Sequence, residues 1–208
     1  MHPHWHSTSP AVQRKIISLF VSSLTLPGSE TTPSTQLFSP AFASELADSS
    51  PHDVAAVFRW ALRHLELEGG FFGKEDASIL SWYSKFSSVE KEKSYPQKAY
   101  SELLPPLVKP SHVELLSVVL ELFASLTSHS EMNGVSGSKL TMALGQYVLG
   151  GNRVIGLEDW PSFYGQWERV GLALEHVFLA SLRCVYPQSS LKNLPRSYVR
   201  VICIPYNL

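Results

Sequence analysis

Four places in this chain have residue types and spacings that could do chemistry. Ser136-Gly137-Ser138-Lys139 matches S-x-x-K at a helix start. In penicillin-binding enzymes that spacing sets a serine nucleophile one turn from a lysine. The companion S-D-N and K-T-G segments are missing, so Ser136 reads more simply as a helix N-cap and Lys139 as a solvated side chain. His2, His4 and His6 alternate near the start of the sequence. Such spacing suits a transition metal, but no acidic or cysteine partner stands nearby to complete a ligand set. Glu175-His176 lacks the second histidine of H-E-x-x-H, so no zinc site follows. Gly69-Gly70 with Gly73 is too short and too poor in polar residues to cradle a phosphate, and no Walker A or dinucleotide glycine pattern occurs. The sequence therefore implies no metal, no cofactor and no catalytic residue of its own.

Composition narrows the classes further. The 208 residues carry a net charge of −1 with 44% apolar content, enough for one domain with a buried core. The pI of about 6.7 gives no reason to expect a nucleic-acid partner. Cys184 and Cys203 have no CxxC spacing, which suits a reducing compartment. The longest apolar run, Ile16 to Leu26, is interrupted by Ser18, Ser22, Ser23 and Thr25. It falls short of the roughly 20 residues that cross a bilayer, so no integral membrane segment is expected.

The elements that must position any site read as helices. Residues 1–36 are expected to be a flexible segment with one helix, Ala11 to Leu24, whose face is Ile16, Ile17, Phe20 and Leu24. Ser39-Pro40 opens a short helix. Ser50-Pro51, with Asp53 in the first turn, opens a stronger one. It carries Val54, Val57, Phe58, Ala61, Leu62 and Leu65 at helical spacing, closes on Arg63 and His64, and ends at Gly69-Gly70. Residues 75–91 give another helix, with Ile79, Leu80, Trp82, Tyr83 and Phe86 as its buried set. Glu90-Lys91-Glu92-Lys93 reads as its exposed, mixed-charge end, and Tyr95-Pro96 breaks the pattern.

Pro96 to Leu104 is a short helix stopped by Pro105-Pro106. Pro110-Ser111 begins the clearest helix, with Ser111 and Glu114 as a capping-box pair. Its stripe is Leu115, Val118, Val119, Leu122, Phe123 and Leu126. Ser136 caps a helix running to Leu149. A last helix, from Ser162 to about Cys184, buries Phe163, Trp167, Val170, Leu174, Val177, Phe178 and Leu182. Trp60, Trp82, Trp160 and Trp167 all sit in helical pattern and are expected in the core. Residues 185–208 form a divergent tail in which Val199 to Ile204 has strand-like composition. With no alternation of strands and helices, the fold class is all-α, a multi-helix bundle.

The stretch from Pro105 to Gly150 carries a further signal. A proline elbow leads into the long helix, and Asn133-Gly134 turns into the next, which starts at Ser138-Lys139-Leu140. This layout resembles the centre of the Rho GTPase-activating (RhoGAP) domain. Phe58-Arg59-Trp60-Ala61-Leu62-Arg63-His64-Leu65, Tyr95-Pro96-Gln97-Lys98-Ala99-Tyr100 and Trp167 to His176 add to it. Together these segments resemble the N-terminal domain of a fungal family associated with bud emergence and meiotically up-regulated genes, related in fold to RhoGAP domains. The resemblance covers roughly residues 37–183, with a RhoGAP-like helical domain over 37–184. Family members are usually much longer, so this chain looks like a short or truncated member.

The resemblance implies a cytoplasmic protein at sites of polarised growth, acting on a Rho-family small GTPase or its regulators. RhoGAP catalysis inserts an arginine finger that offsets transition-state charge. The corresponding loop here is Gly70-Phe71-Phe72-Gly73, with glycine in the finger position. Ser101 and Lys139 stand where an arginine and an asparagine of the RhoGAP pattern would fall. A neutral glycine cannot stabilise phosphoryl charge, so the implied domain is a non-catalytic scaffold or adaptor. Its partner-binding residues would be Phe71, Phe72 and Gly73, with Lys98 and Lys139 by family analogy. The alternative is an active GTPase-activating protein with a displaced finger at Arg59, Arg63 or Arg153. A serine hydrolase using Ser136 and Lys139 is the third reading.

Overall fold

A computed structural model describes residues 9–24, 40–64, 81–149 and 160–186, and every regular element among them is helical. The chain divides between His64 and Leu65 into two compact units.

The first unit holds α1 (Pro10–Leu24), α2 (Pro40–Asp48) and α3 (Pro51–His64). Each begins with proline, whose fixed φ suits the first helical turn and whose missing N–H is not needed there. α1 packs on both α2 and α3. Ile16, Phe42 and Val57 form the core, with Val12, Ile17, Leu19, Phe20 and Leu46 against it. Phe20 and Phe42 meet with ring centroids 5.7 Å apart, and Lys15 pairs with Glu45 at 2.6 Å. α1, assigned from sequence to a flexible segment, is thus packed into this unit.

Asp53 ties the helix ends together. The Ser50 hydroxyl accepts from the Asp53 backbone N–H at 3.2 Å and donates to Asp53 Oδ2 at 2.7 Å. Asp53 Oδ1 in turn accepts from the Ser9 N–H at 2.7 Å and from Gln13 Nε2 at 3.3 Å. The Ser50 hydroxyl therefore caps α3, and the buried Asp53 carboxylate holds that hydroxyl and pins the start of α1. These bonds, led by the Ser50 hydroxyl, hold its pKa below the ordinary value of 3.8.

The second unit runs through α4 (Ser81–Glu92), α5 (Ala99–Leu103), a 3-10 turn (Pro105–Leu107), α6 (Pro110–Ser128), α7 (Ser130–Asn133), α8 (Gly137–Val148) and α9 (Trp160–Val185). α9 is the axis, packing on α5, α6 and α8. It is buried almost continuously from Val170 to Leu182. α8 lies unusually close to it. A Cβ on Gly145 would stand 2.9 Å from Gly171 Cα and 3.1 Å from the Val170 carbonyl oxygen, so both glycines permit backbone contact.

α6 departs from the sequence reading in two ways. Its N-cap is Lys109, with Pro110 inside the helix and no side-chain cap bond, so Ser111 and Glu114 form no capping box. Proline at the first position moves the start two residues earlier than a Ser111 cap would set it. The buried row is also rotated: His112, Leu116, Val119, Leu120, Phe123 and Thr127 face inward, while Val118, Leu122 and Leu126 are exposed. Val119 and Phe123 are shared by the expected and observed rows. The helix is apolar on two sides, so its periodicity left the phase open.

Candidate functional site

The residues singled out as partner-binding are placed unevenly. Phe71, Phe72 and Gly73 lie outside the described residues, as do Arg153, Cys203, the Val199–Ile204 stretch and His2, His4 and His6. Lys98 and Lys139 are both exposed, at the N-terminal ends of different helices. Lys98 precedes α5, and its carbonyl accepts from the Ser101 hydroxyl and the Glu102 N–H. Lys139 lies in the first turn of α8. Its Nζ donates to the Gly134 carbonyl at 2.9 Å, and its N–H donates to Ser136 Oγ at 3.3 Å. Ser136 and Lys139 therefore form a helix cap and a loop tether. Arg59 is half-buried and Arg63 exposed on α3. Among the described residues, no group of three or more His, Cys, Asp or Glu could hold a metal ion.

The Asn133-Gly134 segment is a latch between α6 and α8. Gly134 has φ of +65°, a left-handed conformation that glycine adopts without a Cβ clash. Asn133 Oδ1 accepts from the Val135 N–H at 2.8 Å, and its Nδ2 donates to the Leu126 carbonyl at 2.8 Å. The side chain thus closes its own turn and adds a second donor to the Leu126 carbonyl, which also accepts from the His129 N–H near the end of α6.

The main polar cluster went unrecognised in the sequence. Glu90, expected on an exposed helix end, is fully buried. It pairs with Arg183 and, at 2.6 Å, with His176 Nε2. The other ring nitrogen of His176 is 2.9 Å from the Tyr83 hydroxyl, and the Arg183 guanidinium stands 5.8 Å from the centre of the Tyr95 ring. The ring tautomer decides which of His176 Nδ1 and the Tyr83 hydroxyl donates in that bond. Ser94 and Tyr95 both take φ of +56°, a costly conformation for residues with a Cβ. That turn presents Tyr95 to Arg183. Periodicity held the signal: Trp82, Phe86 and Glu90 are four residues apart on the buried face of α4, and His176 and Arg183 are two turns apart on α9. Lys91, Glu92 and Lys93 do face solvent.

A hydroxyl, an imidazole and a carboxylate in series can activate a nucleophile. Here burial pushes the Tyr83 pKa up to about 12, so its oxygen stays protonated, and Arg183 neutralises Glu90. The arrangement fixes α4 against α9 and does not prepare a nucleophile.

Exposed aromatics lie elsewhere. Trp160, Phe163, Tyr164 and Trp167 run along the first turns of α9, neighbouring rings having centroids 5.8–6.3 Å apart. Trp160 is 72% exposed, and Phe163 and Tyr164 are exposed as well. The expectation that Trp160 and Phe163 sit in the core fails. They precede Val170, where α9 becomes buried, and a helical pattern continues whether or not anything covers it.

These features describe an all-α protein whose sequence signatures map onto turns, caps and a buried ion cluster. A family model, the meiotically up-regulated protein Msb1/Mug8 domain, matches residues 18–203. The chain belongs to that family. The match is wider than the 37–183 read from the sequence, and it takes in part of α1 and most of the tail. The chain is similar to the morphogenesis-related protein MSB1 of Saccharomyces cerevisiae, with 26% identity over 143 residues. That match covers 59% of this chain and 13% of the relative's length. No solved structure matches.

Proposed function

We propose that this chain is a non-catalytic, RhoGAP-like scaffold in fungal morphogenesis. It would bind a Rho-type GTPase or its regulators in the cytoplasm at sites of polarised growth. The observation that carries the reading is membership of the Msb1/Mug8 family, together with similarity to a protein named for morphogenesis. The all-α architecture is compatible with it. Glycine at position 73, where a finger arginine would stand, supports the absence of catalysis, because a finger contributes about 10³–10⁵ in rate. Lys98 and Lys139 are exposed cations that can face an acidic partner surface, Lys139 from its tether on the Gly134 carbonyl.

The test is titration of the full chain against GTP-analogue-loaded Rho-family GTPases, comparing it with F71A/F72A and K98E/K139E variants. Binding that weakens at least tenfold in both variants supports the scaffold and its surface. Equal binding by all three places the contact elsewhere, and no binding by any of them removes the GTPase from the reading.

A further inference from the structure

α6 has a second apolar row beside its buried one. Leu115, Val118, Leu122 and Leu126 are spaced three, four and four residues apart, so they follow one ridge of the helix. Leu115 is half-buried, and Val118, Leu122 and Leu126 are 61%, 41% and 39% exposed. The outer edge of this ridge is acidic. Glu114 and Glu121, both exposed and two turns apart, line it, and exposed Glu131 follows on α7. No Lys or Arg occurs from Pro110 to Ser138.

We propose that this ridge docks an amphipathic helix of a partner whose apolar seam is flanked by Lys and Arg. The apolar row supplies area to bury, and the glutamates set the sign of the flanking charge, as edge charges do in paired helices. The same glutamates disfavour two other occupants. A second copy would bring its own acidic edge against this one, and like charges across a helix pair repel. An anionic lipid surface attracts basic flanks and is repelled here. α6 is long and apolar enough to cross a membrane by length and composition, but one side of it is buried in the fold.

The probe is a synthetic amphipathic peptide of about three heptads with a leucine seam and lysine flanks, alongside a twin with glutamate flanks. Binding to the full chain is followed by calorimetry at low salt and at about 0.15 M salt. The lysine peptide is expected to bind and the glutamate peptide not to. L122S should weaken binding about tenfold, the loss expected for one uncovered leucine. E114K/E121K should switch the preference to the glutamate peptide. All three substituted side chains are exposed, and circular dichroism checks that each variant keeps its helix content. Absence of lysine-peptide binding, or binding unchanged by L122S and by the charge reversal, overturns the proposal. So does tighter binding to phosphatidylserine vesicles that L122S abolishes. A dimer in sedimentation velocity that L122S dissociates overturns it in favour of a second copy.

Discussion

Replacing Glu90 by Gln tests whether the buried ion cluster organises the second unit. The side chain keeps its size and loses its charge. His176 adapts: it can accept from the new amide N–H and donate through Nδ1 to the Tyr83 oxygen, because that hydroxyl both donates and accepts. Arg183 keeps an accepting amide oxygen but loses its counter-charge, since its guanidinium stays charged. Removing one partner of a buried pair costs about 3–5 kcal/mol. The Arg183 side chain retains 16% exposure, so water recovers part of that, and a loss of about 3 kcal/mol is expected. For a unit of this size the midpoint of thermal unfolding should fall by roughly 6–12 °C. The assay is urea unfolding followed by circular dichroism, with an unchanged slope showing that stability alone has shifted. Glu92, exposed two residues further on, is the control, and E92Q should fall within about 0.5 kcal/mol of the parent. A loss below about 1 kcal/mol for E90Q, the value of a surface pair, would refute the assigned burial and pairing.

Other consequences follow from single contacts. G145A should destabilise by about 1–3 kcal/mol, because the new methyl meets the backbone of Gly171 and Val170, which cannot rotate away; urea midpoints measure it. D53N should weaken the first unit at neutral pH. The Asp53 pKa is lowered in the fold, so its contribution is present above the ordinary carboxylate value and is lost as pH falls through the folded one. The gap between parent and D53N unfolding midpoints should therefore close in acid. In a spectrophotometric titration, Tyr83 should ionise at about 12, above the ordinary 10.0, because burial disfavours the phenolate. Its raised pKa makes stability fall as pH climbs from about 10, and Y83F should lessen that fall.

Much of the helical layout was legible because prolines and caps punctuate it. Ser50-Pro51, Ser136 and Asn133-Gly134 each do locally what their types dictate, with no help from distant chain. What the sequence hid depended on which side of a helix meets another. α6 is apolar on two sides, so Val118 and Leu122 could not be told from Leu116 and Leu120 by spacing. Glu90 looked like part of a charged end, since only Arg183 and His176, almost a hundred residues away, make its burial tolerable. Trp160 and Phe163 continue the pattern of α9 past the point where the packing stops. Of the candidate binding residues, only Lys98 and Lys139 fall where the structure can place them, and both are solvent-facing.

The proposed scaffold binds a Rho-type GTPase without accelerating it. The most direct measurement mixes purified chain with a panel of Rho-family GTPases and follows binding and GTP hydrolysis in the same samples. Saturable binding to at least one member is expected, with hydrolysis at its intrinsic rate. Hydrolysis that rises with added chain would contradict it by revealing a finger arginine outside position 73, and no binding to any member would contradict the GTPase link itself.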